Sequence, residues 1–285
     1  MKKNNVVTLF PEIIKNNIET IKFLNNLLND KEKNMYYNMS EISFFEASMV
    51  TFFHSINMQL FETHETIFYN EINKAIETFF LRNKYADKFN SKYIGKNLED
   101  IYRTYIEFTE IKKSDEAGFY RIENKLEEKN LIDFTDDLQI DFISSIAELA
   151  NNSHEHGRTD KAYFCGQYYP RISQLSFAIS NLGITINENV TNKKPNLSNK
   201  KCLDWIFKKG TTTRKDGTSG GQGWYELKQI VNNLKGNITV ISGYDYYNID
   251  NEGKTEYNRL GNKYKGTTFI IDIFYNREEK YDNQY

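Results

Sequence analysis

The chain has little cysteine, little proline and no long apolar run. Cys165 and Cys202 are the only cysteines among 285 residues. Two thiols cannot build a disulfide framework or a cysteine-rich zinc site, and they fit a reducing compartment. No stretch approaches the ~18 apolar residues of a membrane helix, and the opening MKKNNVVTLFPEII lacks the apolar segment of a secretion signal. The expectation is a cytoplasmic protein with no membrane partner. An excess of one charge is lacking too: 37 Lys and Arg face 39 Asp and Glu, for a net charge of -2. A nucleic-acid partner therefore has no support, because phosphate neutralisation draws on a basic excess or a basic stripe. What is abundant is aromatic: 20 Tyr, 20 Phe and 2 Trp, enough for a sizeable core built on rings.

Glycine divides the sequence. Only Gly95 and Gly118 precede residue 150, and the other 13 of the 15 fall between Gly157 and Gly266. The first half reads as regular, helix-rich structure and the second as rich in turns and close backbone approaches. A domain boundary is expected at residues 130–136, giving units of 1–132 and 133–285. In the first unit, Ile14, Ile18, Ile21, Leu24 and Leu28 recur at helical spacing between Pro11 and Asp30, with Pro11 suited to open a helix. A strand is expected within NMYYNMSEISFF, a helix over Phe45–Phe61, a strand at Thr66–Tyr69 and helix again over Asn73–Phe89. Residues 98–131 read as mostly helical. The second unit runs helix (Asp136–His156), two strands (KAYFCGQYY, SQLSFAISN), a long polar loop, helix (Tyr225–Leu234) and two strands (ITVIS, TTFIIDIF). That order predicts an α+β protein. The second unit should be an α/β sandwich, a mixed and largely antiparallel sheet covered by helices.

Four constellations carry chemistry. In ELANNSHEHG, Glu148, Asn152 and His156 lie at i, i+4, i+8 on one helix face. A carboxylate one turn from a carboxamide can hold a water and a divalent cation together, and a neutral carbonyl oxygen suits Mg²⁺. In SNLGITI, Gly183 lets the backbone pass close to a flat ligand. In TSGGQGW, Gly220, Gly221, Gln222, Gly223 and Trp224 lead into a helix, where exposed N–H groups can nest a phosphate. Finally, Lys265-Gly266-Thr267-Thr268 opens the last strand. Read singly, each has an ordinary explanation: a solvated helix face, a strand-end turn, a flexible linker, a strand start.

In this order and at these spacings the four boxes resemble the GHKL ATP-binding domain shared by histidine kinases, DNA gyrase, MutL and heat-shock chaperones. The resemblance covers residues ~136–275. It implies ATP and Mg²⁺ as ligands. It implies Glu148 as general base and Asn152 as the Mg²⁺ ligand. Asn181 sits where the family has an adenine-reading Asp, Gly183 lies beneath the base, and Thr267 helps hold the base. Gly221 and Gly223 wrap the phosphates, and Gly220, Gln222 and Trp224 of the same box are implied as nucleotide-binding. His156 is family-like in position, structural or near the phosphates. Residues 187–220 would be a lid, with Lys208, Lys209, Thr213, Arg214 and Lys215 as phosphate contacts. Two departures stand out: Asn181 for the Asp, and Thr185 for the second glycine of its box. A neutral Asn whose amide can turn round implies weaker adenine affinity or looser base selectivity.

In the first half, His54 and His64 lie outside any phospho-acceptor box, which argues against an orthodox sensor kinase. Residues 35–90 are similar in pattern to a STAS-like layer, which implies a protein partner docking on the N-terminal half. A homodimer is an assembly to test. The leading expectation is a slowly hydrolysing ATP switch. The alternatives are a serine/threonine kinase of the anti-sigma-factor type and a degenerate nucleotide-binding interaction protein.

Overall fold

A computed structural model describes residues 7–113, 124, 136–155, 157–211 and 223–274. The chain is a mixed α+β protein. Strand β1 (Val7–Leu9), helix α1 (Ile18–Asn26), β3 (Asn34–Met39), α2 (Met49–Leu60) and β5 (Thr66–Ile72) form a β–α–β–α–β unit. Its three strands pair in parallel in the order β1-β3-β5. A two-residue parallel pair, β2 (Ile13–Ile14) with β4 (Phe44–Phe45), lies beside it. Helices α3 (Lys74–Arg82) and α4 (Ala86–Phe89) follow.

The larger sheet has five strands in the order β6-β7-β8-β10-β9: β6 (Tyr105–Lys112), β7 (Lys161–Tyr169), β8 (Gln174–Asn181), β9 (Asn237–Ile249) and β10 (Thr255–Phe274). Every pairing in it is antiparallel, where a mixed sheet was expected. Helices α5 (Asp136–Glu155) and α8 (Gly223–Asn233) cover one face, and α6 (Ile186–Thr191) and α7 (Asn199–Ile206) continue that layer.

The other face is covered as well. Alternating residues of β7, β8 and β10 point to opposite sides. Phe164, Phe177, Ile179, Ile271 and Ile273 join the core beneath α5 and α8. Cys165, Ala178 and Ile270 join a second core with α1, α2 and the small sheet. The rings of Phe10, Phe45 and Tyr85 pack edge-on against Phe53 of α2. The layers thus run small sheet, α1 and α2, large sheet, α5 and α8. A large sheet buried on both faces explains why its strands are nearly continuously apolar instead of alternating.

Three expectations on element boundaries need correction. Residues 105–112 are a strand, not a helix. Buried Ile106 and Phe108 alternate with half-buried Tyr105, Glu107 and Thr109, and β6 pairs with β7 at the sheet edge. A strand from before residue 130 therefore belongs to the large sheet. The first helix starts at Ile18, well after Pro11, because Asn17 is extended (φ -147°) and its side chain accepts the Thr20 amide at 2.8 Å. Phe45 lies in β4, ahead of the helix that begins at Met49. The remainder of 98–131 lies largely outside the described residues.

Candidate functional site

Between the large sheet and the helices α5–α8 lies a cleft of about 700 Å³. Each wall has a local cause. Glu148 and Asn152 sit one turn apart on α5, which is anchored by buried Phe142 and Ile146. Asn181 ends β8 and is paired in register with Thr267 of β10, so both reach the cleft from the sheet. Thr185 caps α6: its hydroxyl donates to Glu188 Oε2 at 2.8 Å and accepts the Glu188 amide at 3.2 Å. Trp224 enters from the first turn of α8, its ring 4.1 Å from that of Phe269. Ile184, Ile186, Val190, Trp205 and Ile206 complete an apolar wall.

Glycines allow the backbones to meet at the deep end. A Cβ on Gly183 would stand 1.8 Å from the Gly157 carbonyl oxygen, and one on Gly266 would stand 1.9 Å from that of Asn181. Gly266 also has φ +87°, a conformation open chiefly to glycine. In this crevice the Gly183 amide donates to Asn181 Oδ1 at 3.2 Å. Ser242 Oγ donates to the Gly266 carbonyl at 2.9 Å, accepts the Ile186 amide at 2.9 Å and lies 2.8 Å from Thr267 Oγ1.

The polar groups of the cleft are few and close together. Asn152 is 6 % exposed, and its Nδ2 has no hydrogen-bond partner among the described residues. A buried carboxamide with an unmet donor can meet a phosphate oxygen while its carbonyl serves a cation. Half-buried Glu148 lies beside it. Among the described residues no group of three or more His, Cys, Asp and Glu could hold a metal unaided. A cation here would draw ligands from the phosphates, as Mg²⁺ commonly does.

Of the residues expected from sequence, the cleft gathers Glu148, Asn152, Asn181, Thr185, Trp224 and Thr267. Gly183 lies directly behind it, against Gly157 and Asn181. Gly223 opens α8. Lys209 is not part of the cleft wall, and its Nζ lies 5.7 Å from the centre of the Tyr225 ring. His156, Thr213, Arg214, Lys215, Gly220, Gly221 and Gln222 lie outside the described residues. The lid segment, where described, is helical: α6 and α7 occupy much of 186–206.

Sequence reasoning missed Asp245. Its side chain is fully buried and accepts from Tyr257 Oη (2.7 Å), Arg259 Nη1 (2.9 Å), Asn199 Nδ2 (3.1 Å) and Asn187 Nδ2. It ties the β9–β10 ribbon to α6 and α7. No local motif marks it, since its four partners come from three separate segments, α6, α7 and β10. The Thr185–Glu188 capping box was missed as well, although its T-x-x-E spacing is a local signal.

No protein-family model matches the chain, and a search of curated proteins finds no match to it.

Proposed function

We propose that the chain binds a purine nucleoside triphosphate with Mg²⁺, ATP in the reading its sequence boxes imply, and hydrolyses it slowly as a regulatory switch. One observation carries this. Residues far apart in sequence, Glu148, Asn152, Asn181, Thr185, Trp224 and Thr267, line a single cleft of about 700 Å³ whose floor is made of glycine approaches. A mostly apolar wall with a few convergent polar groups suits a small organic ligand. Asn152 would hold Mg²⁺ through its carboxamide oxygen. Bound there, the triphosphate supplies a transferable phosphoryl group. Glu148, on the same helix face, would accept the proton of an attacking water. The apolar wall of Ile184, Ile186 and Trp205 excludes bulk water, which strengthens each polar contact.

The layer arrangement suggests how occupancy is passed on. α6 and α7 form one side of the cleft and are held by Asp245 to the β9–β10 ribbon. The same ribbon packs against α1 on the far side of the sheet: Asn25 exchanges hydrogen bonds with Asn262. A ligand that draws in α6 and α7 more as triphosphate than as diphosphate would shift this connection and change how a partner docks on the N-terminal layer.

The test is tryptophan fluorescence. The only two tryptophans, Trp205 and Trp224, both line the cleft. Titration with Mg²⁺–ATP or Mg²⁺–GTP is expected to give a saturable change. An unchanged spectrum at millimolar concentrations of both would contradict the proposal.

A further inference from the structure

The deep end of the cleft is uncharged, and its hydrogen-bonding polarity can be worked out by counting protons. Asn181 is 4 % exposed, and its one side-chain hydrogen bond runs from the Gly183 amide to Oδ1. An amide N–H can only donate, so Gly183 fixes which half of the Asn181 carboxamide is oxygen. Among the described residues the Nδ2 group has no acceptor, and Asn181 lines the cleft. Its register partner Thr267 is 4 % exposed and lines the same cleft. Ser242 has one hydroxyl proton, and it goes to the Gly266 carbonyl. The 2.8 Å contact between Ser242 and Thr267 therefore uses the Thr267 proton. Thr267 can then offer the cleft only a lone pair. The sheet thus presents a donor and an acceptor side by side.

This end is also the one suited to a heterocycle. Asn181 abuts Gly157, just past the end of α5, while Glu148 lies seven residues before Glu155, about 10 Å back along the helix. The Glu148 carboxylate thus stands about 10 Å along the helix from the uncharged pair, with Asn152, whose backbone carbonyl accepts the Gly157 amide, between them. Ile184 and Phe269 are among the apolar residues lining the cleft.

We infer that the cleft selects a 6-oxopurine nucleotide, guanine or hypoxanthine, over an adenine nucleotide. A 6-oxopurine presents the carbonyl O6 as acceptor and N1–H as donor. Asn181 Nδ2 would donate to O6, and Thr267 Oγ1 would accept from N1–H. Adenine reverses both positions, with an amino donor at C6 and a bare N1. Two donors would then meet at Asn181 and two lone pairs at Thr267, leaving buried polar groups unpaired. The inference rests on the nucleotide-binding reading above and narrows it to a base.

The experiment is calorimetric titration of the full chain with Mg²⁺ complexes of GTP, ITP and ATP, on wild type and Asn181→Asp. In wild type, GTP and ITP are expected to bind at least about tenfold more tightly than ATP. ITP lacks the 2-amino group, so it isolates the O6 and N1 edge. Asn181→Asp replaces the donor by an acceptor and is expected to turn the order toward ATP. ATP binding as tightly as GTP and ITP in wild type would overturn the inference and leave nucleotide binding standing. Tight GTP with weak ITP would move recognition to the 2-amino group and overturn it equally. Binding of none of the three would remove the nucleotide reading and this inference with it.

Discussion

The Gly157 carbonyl oxygen stands 1.8 Å from where a Cβ on Gly183 would be, and the same oxygen accepts the Ile184 amide at 2.7 Å. Two loops, one ending α5 and one ending β8, are thus locked backbone to backbone behind Asn181. Gly183→Ala must push them apart. We expect a loss of about 1–3 kcal/mol of stability, as for other overpacked sites, together with loss of nucleotide affinity. Gly210 is the control: it has φ +72° but open space around its Cβ position. Gly210→Ala should cost about 1 kcal/mol and leave binding unchanged. Urea denaturation and nucleotide titration read both.

Asp245 is the acceptor at which α6, α7 and the β9–β10 ribbon meet. Asp245→Ala leaves the Arg259 charge and the Asn187 and Asn199 amides without that acceptor. The expected cost is about 3 kcal/mol. Hydrogen exchange should quicken over residues 186–206 before it quickens in α5.

Glu46 and Asp272 join the N-terminal layer to the large sheet. Ser176 Oγ lies 2.9 Å from Glu46 Oε1 and 2.5 Å from Asp272 Oδ1, and Asn16 donates its backbone N–H to Glu46 and its side-chain amide to Asp272. Burial, then the neighbouring Asp272 carboxylate, pushes Glu46 up to about 7, and burial raises Asp272 as well. A carboxyl raised in this way holds its proton more tightly in the folded state. Its contribution is complete below the ordinary carboxylate range and is lost as the pH climbs toward about 7. The stability of wild type relative to Glu46→Gln should therefore fall by about 2 kcal/mol between about pH 5 and about pH 8. A flat difference would contradict the shared burial of the pair.

His54 works in the opposite sense. Its ring packs against Tyr85, Phe108 and Tyr163, and burial, then Lys88 and Lys161, lowers it to about 3. The unfolded chain takes up the proton near the ordinary histidine value, so this contribution is present above about 6.5 and is lost as the pH falls toward about 3. In that window wild type should lose about 1.4 kcal/mol per pH unit relative to His54→Leu, read by denaturation at stepped pH.

The elements with strong periodicity were legible in sequence: α2, α5, α8 and the strands β7, β8 and β10. The family-like boxes also named Glu148, Asn152, Asn181, Thr185, Trp224 and Thr267, which line the cleft, but not its apolar residues Trp205, Ile206 and Phe269. What escaped depends on distant partners. β6 has a strand's alternation, but its edge position exists only through β7. The N-terminal layer read as a separate unit, because nothing local reveals that α1 and α2 seal the large sheet's second face. Thr185 read as a missing glycine, whereas its hydroxyl caps α6. The direction of the Asn181 carboxamide needed the Gly183 amide beside it.

If the cleft holds a nucleotide with Mg²⁺, Asn152 would supply the protein ligand to the cation and Glu148 the base. Calorimetry with and without Mg²⁺, on wild type, Asn152→Ala and Glu148→Gln, tests it most directly. The account predicts saturable, Mg²⁺-dependent binding that Asn152→Ala weakens and Glu148→Gln keeps while slowing hydrolysis by about 10²-fold or more. Absence of binding at millimolar nucleotide, or binding indifferent to Asn152, would contradict it.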